Sequence, residues 1–260
     1  MALVVTTRLG SVMTITLADA PRRNALSRQL MSELLEAVAV ADSDPNVRVV
    51  VLTNHGTVFC AGADLGERAR GDGAGPIALS ELFERIRSSP KPFVGRVHGH
   101  CIAGGVGLAA VLDVSVALDT AQFGFSEVRV GVAPAIISVV CLPKMRVGDA
   151  RSAFLRGNRF SGTEAARLGL INEAASEREI DDRVRLVVND LLAGEPAALA
   201  AAKQLTLSVP AMTVEEAFAW TSELSATLFA SDQAREGMAA FREKREASWV
   251  RRLDDDAPEI

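Results

Sequence analysis

Three glycines, Gly104, Gly105 and Gly107, stand at the start of a short apolar helical segment, in the sequence CIAGGVGLAA over residues 101–110. Glycine has no side chain, so its backbone can approach another group closely and its N–H group stays accessible. A helix N-terminus adds partial positive charge at the same place. The natural guest of such a turn is an oxygen atom that carries or gains negative charge.

The familiar nucleotide-binding loops do not fit this run. A P-loop ends in Gly-Lys-Ser or Gly-Lys-Thr, and this run contains neither sequence. The run satisfies G-x-G-x-x-A, but the next candidate ribose-binding acid, Asp119, follows Gly105 after only 14 residues (119 minus 105). The intervening helix is too short for a dinucleotide fold. Close packing of a helix on a strand through the glycines remains the structural alternative.

A second turn of small residues follows an apolar strand further upstream. The segment VRVVVLT over 47–53 is typical of a strand buried on both faces, and it leads into NHGTVFCAGADLGE with Gly62 and Ala63. Two turns that each offer one backbone N–H to the same oxygen would form an oxyanion hole. Such a hole stabilises charge on a thioester or ester carbonyl, and losing one donor lowers the rate by about 10²–10³.

The organisation of the chain changes near residue 175. Before it, short strands, predicted over 3–9 and 12–17 among others, alternate with amphipathic helices such as the one after Ser27. After residue 176 the pattern is helical and alanine-rich. We predict an α/β core over 1–175 and a helical region over 176–260. The glycine-rich stretch 66–76 is typical of a mobile loop.

Composition narrows the classes of protein. The chain has 260 residues, 48% hydrophobic residues and a net charge of -5, so it can bury a core and carries no basic stripe suited to nucleic acid. Its three cysteines form neither a disulfide framework nor a paired metal motif. We see no export signal and no convincing membrane span, and we expect a soluble cytoplasmic protein without a metal.

Several motifs together resemble one family. The segments PRRNALS, VVVLTNHGTVFCAGADL, the stretch from KPFVGRV to SEVRVG, FSGTEAARLGLINE and EGMAAFREKR occur in the order and spacing of the crotonase, or enoyl-CoA hydratase/isomerase, superfamily. The resemblance spans about residues 3 to 245. It implies a crotonase-like spiral of ββα units with a C-terminal helical trimerisation region. It also implies a homotrimer or dimer of trimers that acts on an acyl-CoA thioester.

The resemblance implies roles for particular positions. Ala63 and Gly104 match the two oxyanion donors, and Glu127 in FGFSEV matches a catalytic glutamate of the hydratases. No separate cofactor is implied, because coenzyme A is part of the substrate. We also expect Asp64 to cap the helix that follows it and the acyl chain to lie beneath residues 66–88. The predicted substrate-binding residues are Arg22, Ala25, Ala61, Asp64, Leu65, Gly107, Phe241 and Lys244.

One acid–base residue departs from the best-known hydratases. They carry an earlier glutamate 20 residues before the later one, and here that position is Gly107 (127 minus 20). Three accounts remain open. The protein is a hydratase-type lyase in which Glu127 serves as both base and acid, a Δ3,Δ2-enoyl-CoA isomerase that needs one proton shuttle, or a weakly active or non-catalytic acyl-CoA binder. Other reactions of the superfamily are also compatible with the fold.

Neighbouring side chains allow simpler interpretations. Glu127 could be a surface residue paired with Arg129, but the flanking apolar residues predict a pocket that raises its pKa. These flanking residues are Phe123, Phe125, Val128 and Val130. His98 and His100 lie beside the glycine turn without metal partners or a triad, so we interpret both as structural. Cys60 lies next to the predicted hole, and we expect no nucleophilic role for its thiol.

Overall fold

The core is built from strands that alternate between two sheets. The structure, a computed structural model, describes residues 2–64, 66–67 and 76–253. A six-stranded sheet has the order β1-β2-β3-β5-β7-β10, and a four-stranded sheet has the order β4-β6-β8-β9. The strands are β1 (Val4–Leu9), β2 (Val12–Leu17), β3 (Val49–Asn54), β4 (Val58–Cys60), β5 (Phe93–Val97), β6 (His100–Ile102), β7 (Val114–Leu118), β8 (Gln122–Gly124), β9 (Arg159–Ser161) and β10 (Glu173–Ala175).

Successive strand pairs repeat the same course through the molecule. β3 and β4, β5 and β6, and β7 and β8 each place one strand in the large sheet and the next in the small one. β2, β3, β5, β7 and β10 pair in parallel, and β1 is antiparallel to β2. β4, β6 and β8 are parallel, and β9 is antiparallel to β8. The predicted α/β class with ββα units is confirmed.

Ten helices of the described residues connect and cover the sheets. They are α1 (Arg28–Ser43), α2 (Pro76–Ser88), α3 (Gly104–Val111), α4 (Ala135–Cys141), α5 (Val147–Arg156), α6 (Gly162–Arg167), α7 (Ile180–Ala193), α8 (Pro196–Ser208), α9 (Val214–Phe229) and α10 (Asp232–Glu243). α2 and α3 each follow one strand pair. α3 is buried at every residue, which explains its uniformly apolar sequence.

Local sequence determines where the outer elements begin. All six residues of β3 are buried, as its apolar run predicts. The Ser27 side chain accepts a hydrogen bond from Leu30 N–H and starts α1. Thr213 and Glu216 form a reciprocal capping box at α9. Ser161 caps α6, and the Glu164 carboxylate binds Arg167 instead of returning to the cap.

The helical region joins the core through α7 and extends from it through the later helices. α7 packs against β5 and β7, and its Val184 and Val188 are buried. α9 has no buried residue, and its Phe218 is 70% exposed. Large apolar side chains on a surface helix are what an interface between copies would cover. The trimer and the division at residue 175 stay predictions.

The buried ammonium group of Lys203 connects α8 to the core through hydrogen bonds. The Lys203 Nζ donates hydrogen bonds to Ile86 O (2.9 Å), Lys91 O (3.1 Å) and Asp113 Oδ2 (2.8 Å), and it lies 5.4 Å from the Phe93 ring centroid. Burial raises the pKa of Asp113 against the effect of Lys203. All three protons of the ammonium group therefore have acceptors. One of these acceptors, Ile86 O, lies in the last turn of α2.

We predict that Lys203→Met lowers the free energy of unfolding by about 3 kcal/mol, because it leaves buried acceptors and a carboxyl group without their cation. Urea denaturation would measure it. Arg183→Met is the matched control, because Arg183 and Glu173 form a half-exposed ion pair (3.1 Å) worth less than about 1 kcal/mol. Equal losses in the two variants would contradict the assigned role of Lys203.

Candidate active site

The first predicted donor lies in a turn held by the loop before α1. Ala61 N–H donates to Arg23 O (3.1 Å), and Leu26 N–H donates to Gly62 O (2.7 Å). A parallel bridge joins Leu26 to Ala63. Gly62 has φ of +84°, and a Cβ there would lie 2.8 Å from Ile102 O. Only glycine suits both the angle and the space, so the chain needs it to present Ala63.

The second predicted donor begins α3 in a strained turn. Ala103 has φ of +51° and ψ of -120°, a region that costs a residue with a side chain about 1–3 kcal/mol. Its N–H donates to Gly124 O on β8 (2.9 Å), which helps to hold the turn. Gly104 is the first residue of α3, and no side chain caps this helix. No side-chain oxygen therefore accepts a hydrogen bond from the first N–H groups of α3.

The two turns lie against each other. A Cβ on Gly62 would be 3.0 Å from Gly104 N, and a Cβ on Gly104 would be 3.4 Å from Gly62 Cα and 3.8 Å from Ala63 N. Across the described ranges, neither Ala63 N–H nor Gly104 N–H donates to a protein acceptor. Two unused amides from distant parts of the chain thus come together, one of them at a helix N-terminus.

Glu127 follows β8, the strand that pairs with β6. It belongs to a 3₁₀ turn, Ser126–Val130, that follows β8. Gly124, the residue of β8 that lies three positions before Glu127, accepts the Ala103 N–H through its carbonyl oxygen. The Glu127 Oε2 atom is buried and has no hydrogen-bond partner in the described protein. Burial raises the pKa of Glu127. A raised pKa makes the carboxylate a stronger base for proton transfer.

The surroundings of Glu127 differ in part from the sequence prediction. Phe123 and Phe125 are fully buried, as expected for an apolar wall. Val128 and Val130 are 38% and 60% exposed, so their assignment to the pocket was wrong. The 3₁₀ turn directs its later residues outward. Arg129 donates to Arg156 O (2.9 Å) and forms no ion pair with Glu127 among the described residues.

Hydrocarbon fills the position where many hydratases have their earlier glutamate. A Cβ on Gly107 would lie 2.5 Å from Ile137 Cγ2 and 2.9 Å from Phe83 Cζ. Both neighbours are buried, Ile137 on α4 and Phe83 on α2. A glutamate side chain at position 107 would therefore not fit this packing. Glycine lets α4 approach α3 closely.

Asp64 occupies the structural position that the sequence predicts. Its Oδ1 accepts the Glu67 N–H (3.0 Å), as a cap at a helix start does. It thereby helps to fix the chain after Ala63. Leu65 lies outside the described residues, as does most of the predicted loop over 66–76.

The neighbouring thiols and imidazoles are structural. Cys60 is buried, accepts the Gly62 N–H (3.5 Å), and has its pKa raised by burial to about 12, so it is a poor nucleophile. His98 Nε2 lies 2.7 Å from Glu177 Oε1. His100 Nδ1 accepts the Gln122 N–H (3.0 Å). No group of three or more metal-binding side chains occurs in the described part of the chain.

The residues predicted to bind coenzyme A fall into two separate places. Arg22 is exposed and Ala25 is buried, and both adjoin the Ala61 turn. Phe241 is 86% exposed on α10, and Lys244 closes that helix at φ of +55°. No hydrogen bond or ion pair of the described residues joins α10 to the Ala61 turn.

Asn24 is a positioning residue that the sequence reasoning missed. It is fully buried at φ of +50°, and its Nδ2 donates to His55 O (3.2 Å) and Val58 O (2.7 Å). These bonds tie the loop before α1 to the turn between β3 and β4 and to the first residue of β4. An asparagine tolerates this left-handed conformation better than most residues. In the sequence, its position between Arg23 and Ala25, within a segment predicted to bind substrate, was the signal that could have identified this role.

Comparison with known proteins identifies the family. The family profile described as Enoyl-CoA hydratase/isomerase matches residues 7–252. The chain belongs to the enoyl-CoA hydratase/isomerase family. A Thermus thermophilus relative named "Putative enoyl-CoA hydratase" is 35% identical over 91% of this chain and 96% of its own. Carnitinyl-CoA dehydratase of Escherichia coli K12 is 33% identical over 94% of this chain and 96% of its own.

Solved structures of this family have the same fold. Pseudomonas aeruginosa AtuE superimposes with a TM-score of 0.91 at 31% identity, covering 96% of this chain and 100% of the other. Enzymes of the enoyl-CoA hydratase/isomerase family act on acyl-CoA thioesters. None of the described helices is both long and apolar enough to cross a membrane.

We predict that Gly107→Ala lowers the free energy of unfolding by about 1–3 kcal/mol, since the new methyl group overpacks Ile137 and Phe83. Gly148→Ala on α5 is the control, because a Cβ there meets nothing within 4 Å. Urea denaturation of both variants would measure the contrast. Adding Ile137→Ala to Gly107→Ala should give a total loss smaller than the sum of the single losses, and strict additivity would contradict the contact.

Proposed function

We propose that the protein is a hydratase-type lyase that adds water to a 2-enoyl-CoA thioester and catalyses the reverse dehydration. The observation that carries this proposal is the buried Glu127 Oε2 atom, which has no hydrogen-bond partner in the described protein. It stands beside the finding that the Ala63 and Gly104 amides are unused. The family and the names of two relatives, a hydratase and a dehydratase, support the same class of reaction.

The Ala63 and Gly104 amides hold the thioester oxygen in this proposal. Their N–H groups polarise the carbonyl, and electron density withdrawn along the conjugated system makes Cβ electrophilic. When the oxygen of water bonds to Cβ, the Cα–Cβ double bond becomes an enolate with its charge on the thioester oxygen. The two amides and the N-terminus of α3 stabilise that charge more strongly than they stabilise the neutral substrate.

Glu127 moves the proton in both halves of the reaction. As a carboxylate, it takes a proton from the attacking water while the C–O bond forms. As a carboxylic acid, it then delivers a proton to Cα as the enolate collapses, which restores the carboxylate. A raised pKa suits a group that alternates between base and acid. One carboxyl group serves both steps because Gly107 offers no second one.

The coenzyme A moiety would lie along Arg22, Ala25 and Ala61, with Phe241 and Lys244 of a neighbouring copy near its nucleotide. This arrangement requires a trimer or dimer of trimers, and the exposed Phe241 side chain on α10 supports it. The reaction needs no added cofactor or metal. We propose a cytoplasmic protein.

A Δ3,Δ2-enoyl-CoA isomerase is the second candidate. The hydrocarbon contacts at Gly107 favour it, because a 1,3-proton shift along one face of the substrate requires a single carboxyl group. Two assays separate the candidates. A hydratase removes the ultraviolet absorbance of a conjugated 2-enoyl-CoA, whereas an isomerase creates that absorbance from a 3-enoyl-CoA. Binding of an acyl-CoA without either change would contradict both and indicate a non-catalytic homologue.

We predict that Glu127→Gln lowers kcat by about 10²–10⁴, because the amide cannot accept and return a proton. The dissociation constant for a saturated acyl-CoA should change little, since the substitution is nearly isosteric. Steady-state kinetics and calorimetry would measure the two effects. Glu177→Gln, at an exposed glutamate that contacts His98, is the control. Full turnover by Glu127→Gln would contradict the assignment.

The pH dependence of hydration should report the pKa of Glu127. Water addition requires the carboxylate, so kcat/KM falls as the pH is lowered and Glu127 becomes protonated. Burial raises this pKa above the ordinary 4.5, which moves the acid limb to a higher pH. A pH profile of kcat/KM measures it. An acid limb at or below pH 4.5 would show that Glu127 is not the base.

A further inference from the structure

A cavity of about 380 Å³ lies at one edge of the large sheet, where the parallel strands β2 and β3 begin. The turn that presents Ala63 follows the other end of β3, and this six-residue strand alone spans about 17 Å. The polar lining of the cavity comes from Arg8, Ser11, Asn46, Arg48 and Arg251. None of its described lining residues carries a carboxylate group. The cavity is therefore a basic site apart from the candidate active site.

Three arginines reach this cavity from distant parts of the chain. Arg8 lies in β1, Arg48 directly precedes β3, and Arg251 follows α10. The Arg48 N–H donates to Ser11 O (2.8 Å), so the backbone at Arg48 is fixed beside the turn between β1 and β2. The fold, rather than the order of residues in the sequence, therefore creates this basic cluster.

Arg48 also fixes the Trp249 arm, defined as residues 249–253, which carries Arg251. The Arg48 guanidinium group donates to Trp249 O in this arm. The Arg251 N–H donates to Leu192 O on α7 (3.1 Å). These bonds keep Arg251 beside Arg48, so the approach of the two arginines does not depend on a ligand.

Arg251 brings a positive charge that no described carboxylate binds. Its Nη1 atom donates to Ser248 O (3.0 Å) and Val250 O (2.7 Å), and its Nε and Nη2 atoms have no partner among the described residues. Burial and the charge of Arg251 lower the pKa of Arg48. Both guanidinium groups stay charged, so they repel each other at the cavity.

Two carboxylates near the cavity neutralise its charge only in part. Asp44 Oδ2 lies 3.7 Å from Arg8 Nη1. Glu195 raises the pKa of Arg48, but its Oε2 atom accepts the Ala198 N–H (2.7 Å) at the start of α8. Neither carboxylate lines the cavity. Three arginines against two carboxylates leave a net positive charge, which an anion in the cavity would balance.

We infer that this cavity binds a phosphate group, with Arg8, Arg251 and the Ser11 hydroxyl as donors and with Arg48 supplying positive charge. Guanidinium groups bind phosphate oxygens through paired N–H donors, and arginines that arrive from different directions suit a tetrahedral oxyanion. A bound phosphate would link the Trp249 arm to β1. The inference goes beyond the proposed function, because this site takes no part in the enoyl-CoA reaction.

The test measures phosphate binding directly. Calorimetry in a phosphate-free buffer of fixed ionic strength compares inorganic phosphate with glycerol 3-phosphate, on the wild-type protein and on Arg8→Gln and Arg251→Gln. Arg48 is left unchanged, because its bond to Trp249 O holds the arm. Arg151→Gln is the control, because Arg151 is an exposed arginine on α5 that does not line the cavity. Thermal melting checks that each variant folds.

We expect Arg8→Gln and Arg251→Gln each to bind phosphate about 10-fold to 100-fold more weakly than the wild type, since each loses a charge-assisted hydrogen bond. Arg151→Gln should bind as the wild type does. Tighter binding of inorganic phosphate or of glycerol 3-phosphate then tells whether the site prefers the free anion or an ester. Phosphate should also slow hydrogen exchange at the Arg251 amide, because it ties the Trp249 arm to β1.

Phosphate also stabilises folded proteins by exclusion from their surface, so a rise in melting temperature alone does not support the site. The rise that remains in the two cavity variants measures this general effect. Equal phosphate affinity in the wild type and in folded Arg8→Gln and Arg251→Gln would overturn the inference.

The acidic residues 254–256, in the sequence DDD, follow the arm and provide a second way to overturn the inference. A triple variant, Asp254→Asn with Asp255→Asn and Asp256→Asn, removes these carboxylates. Phosphate that binds this variant and not the wild type would show that the chain's own carboxylates occupy the cavity. Equal phosphate affinity in the wild type and the triple variant supports a site for a separate phosphate.

Discussion

The contact between the turn at Gly62 and the start of α3 at Gly104 is the constraint on which the site depends. Each glycine occupies space that a side chain of the other would need, and Gly62 also has a positive φ. The strained Ala103 between β6 and α3 shows that the surrounding structure enforces this arrangement. The small sheet and the loop before α1 fix the two turns independently, so the amides are positioned before any ligand arrives. This preorganisation is what makes electrostatic catalysis effective.

Hydrocarbon packing limits the chemistry available beside those amides. Gly107 lets Ile137 and Phe83 close the region where a second carboxyl group would stand, so the proposed function relies on Glu127 alone. Burial raises the pKa of Glu127, and its Oε2 atom has no partner in the described protein. Both reactions proposed above need a single carboxyl group to move a proton.

Local patterns in the sequence predicted the elements well, because the forces that form them act within a few residues. Ser27 starts α1, Thr213 and Glu216 form a capping box, and β3 is buried throughout.

The sequence failed where distant elements meet. Nothing near Gly107 indicates that Ile137, 30 residues later, packs on it (137 minus 107). Apolar residue type misplaced Val128 and Val130, because a 3₁₀ turn exposes them. Asn24 acts through the His55 and Val58 carbonyls, which only the fold brings close.

The most direct test of the account is a crystal structure of the protein with a bound acyl-CoA thioester. The account predicts that the thioester oxygen accepts hydrogen bonds from both Ala63 N–H and Gly104 N–H, each at about 2.7–3.1 Å. It also predicts that the Glu127 carboxyl group faces Cα or Cβ of the acyl chain. A thioester oxygen that reaches neither amide, or an amide that donates to a protein carbonyl in the complex, would contradict it.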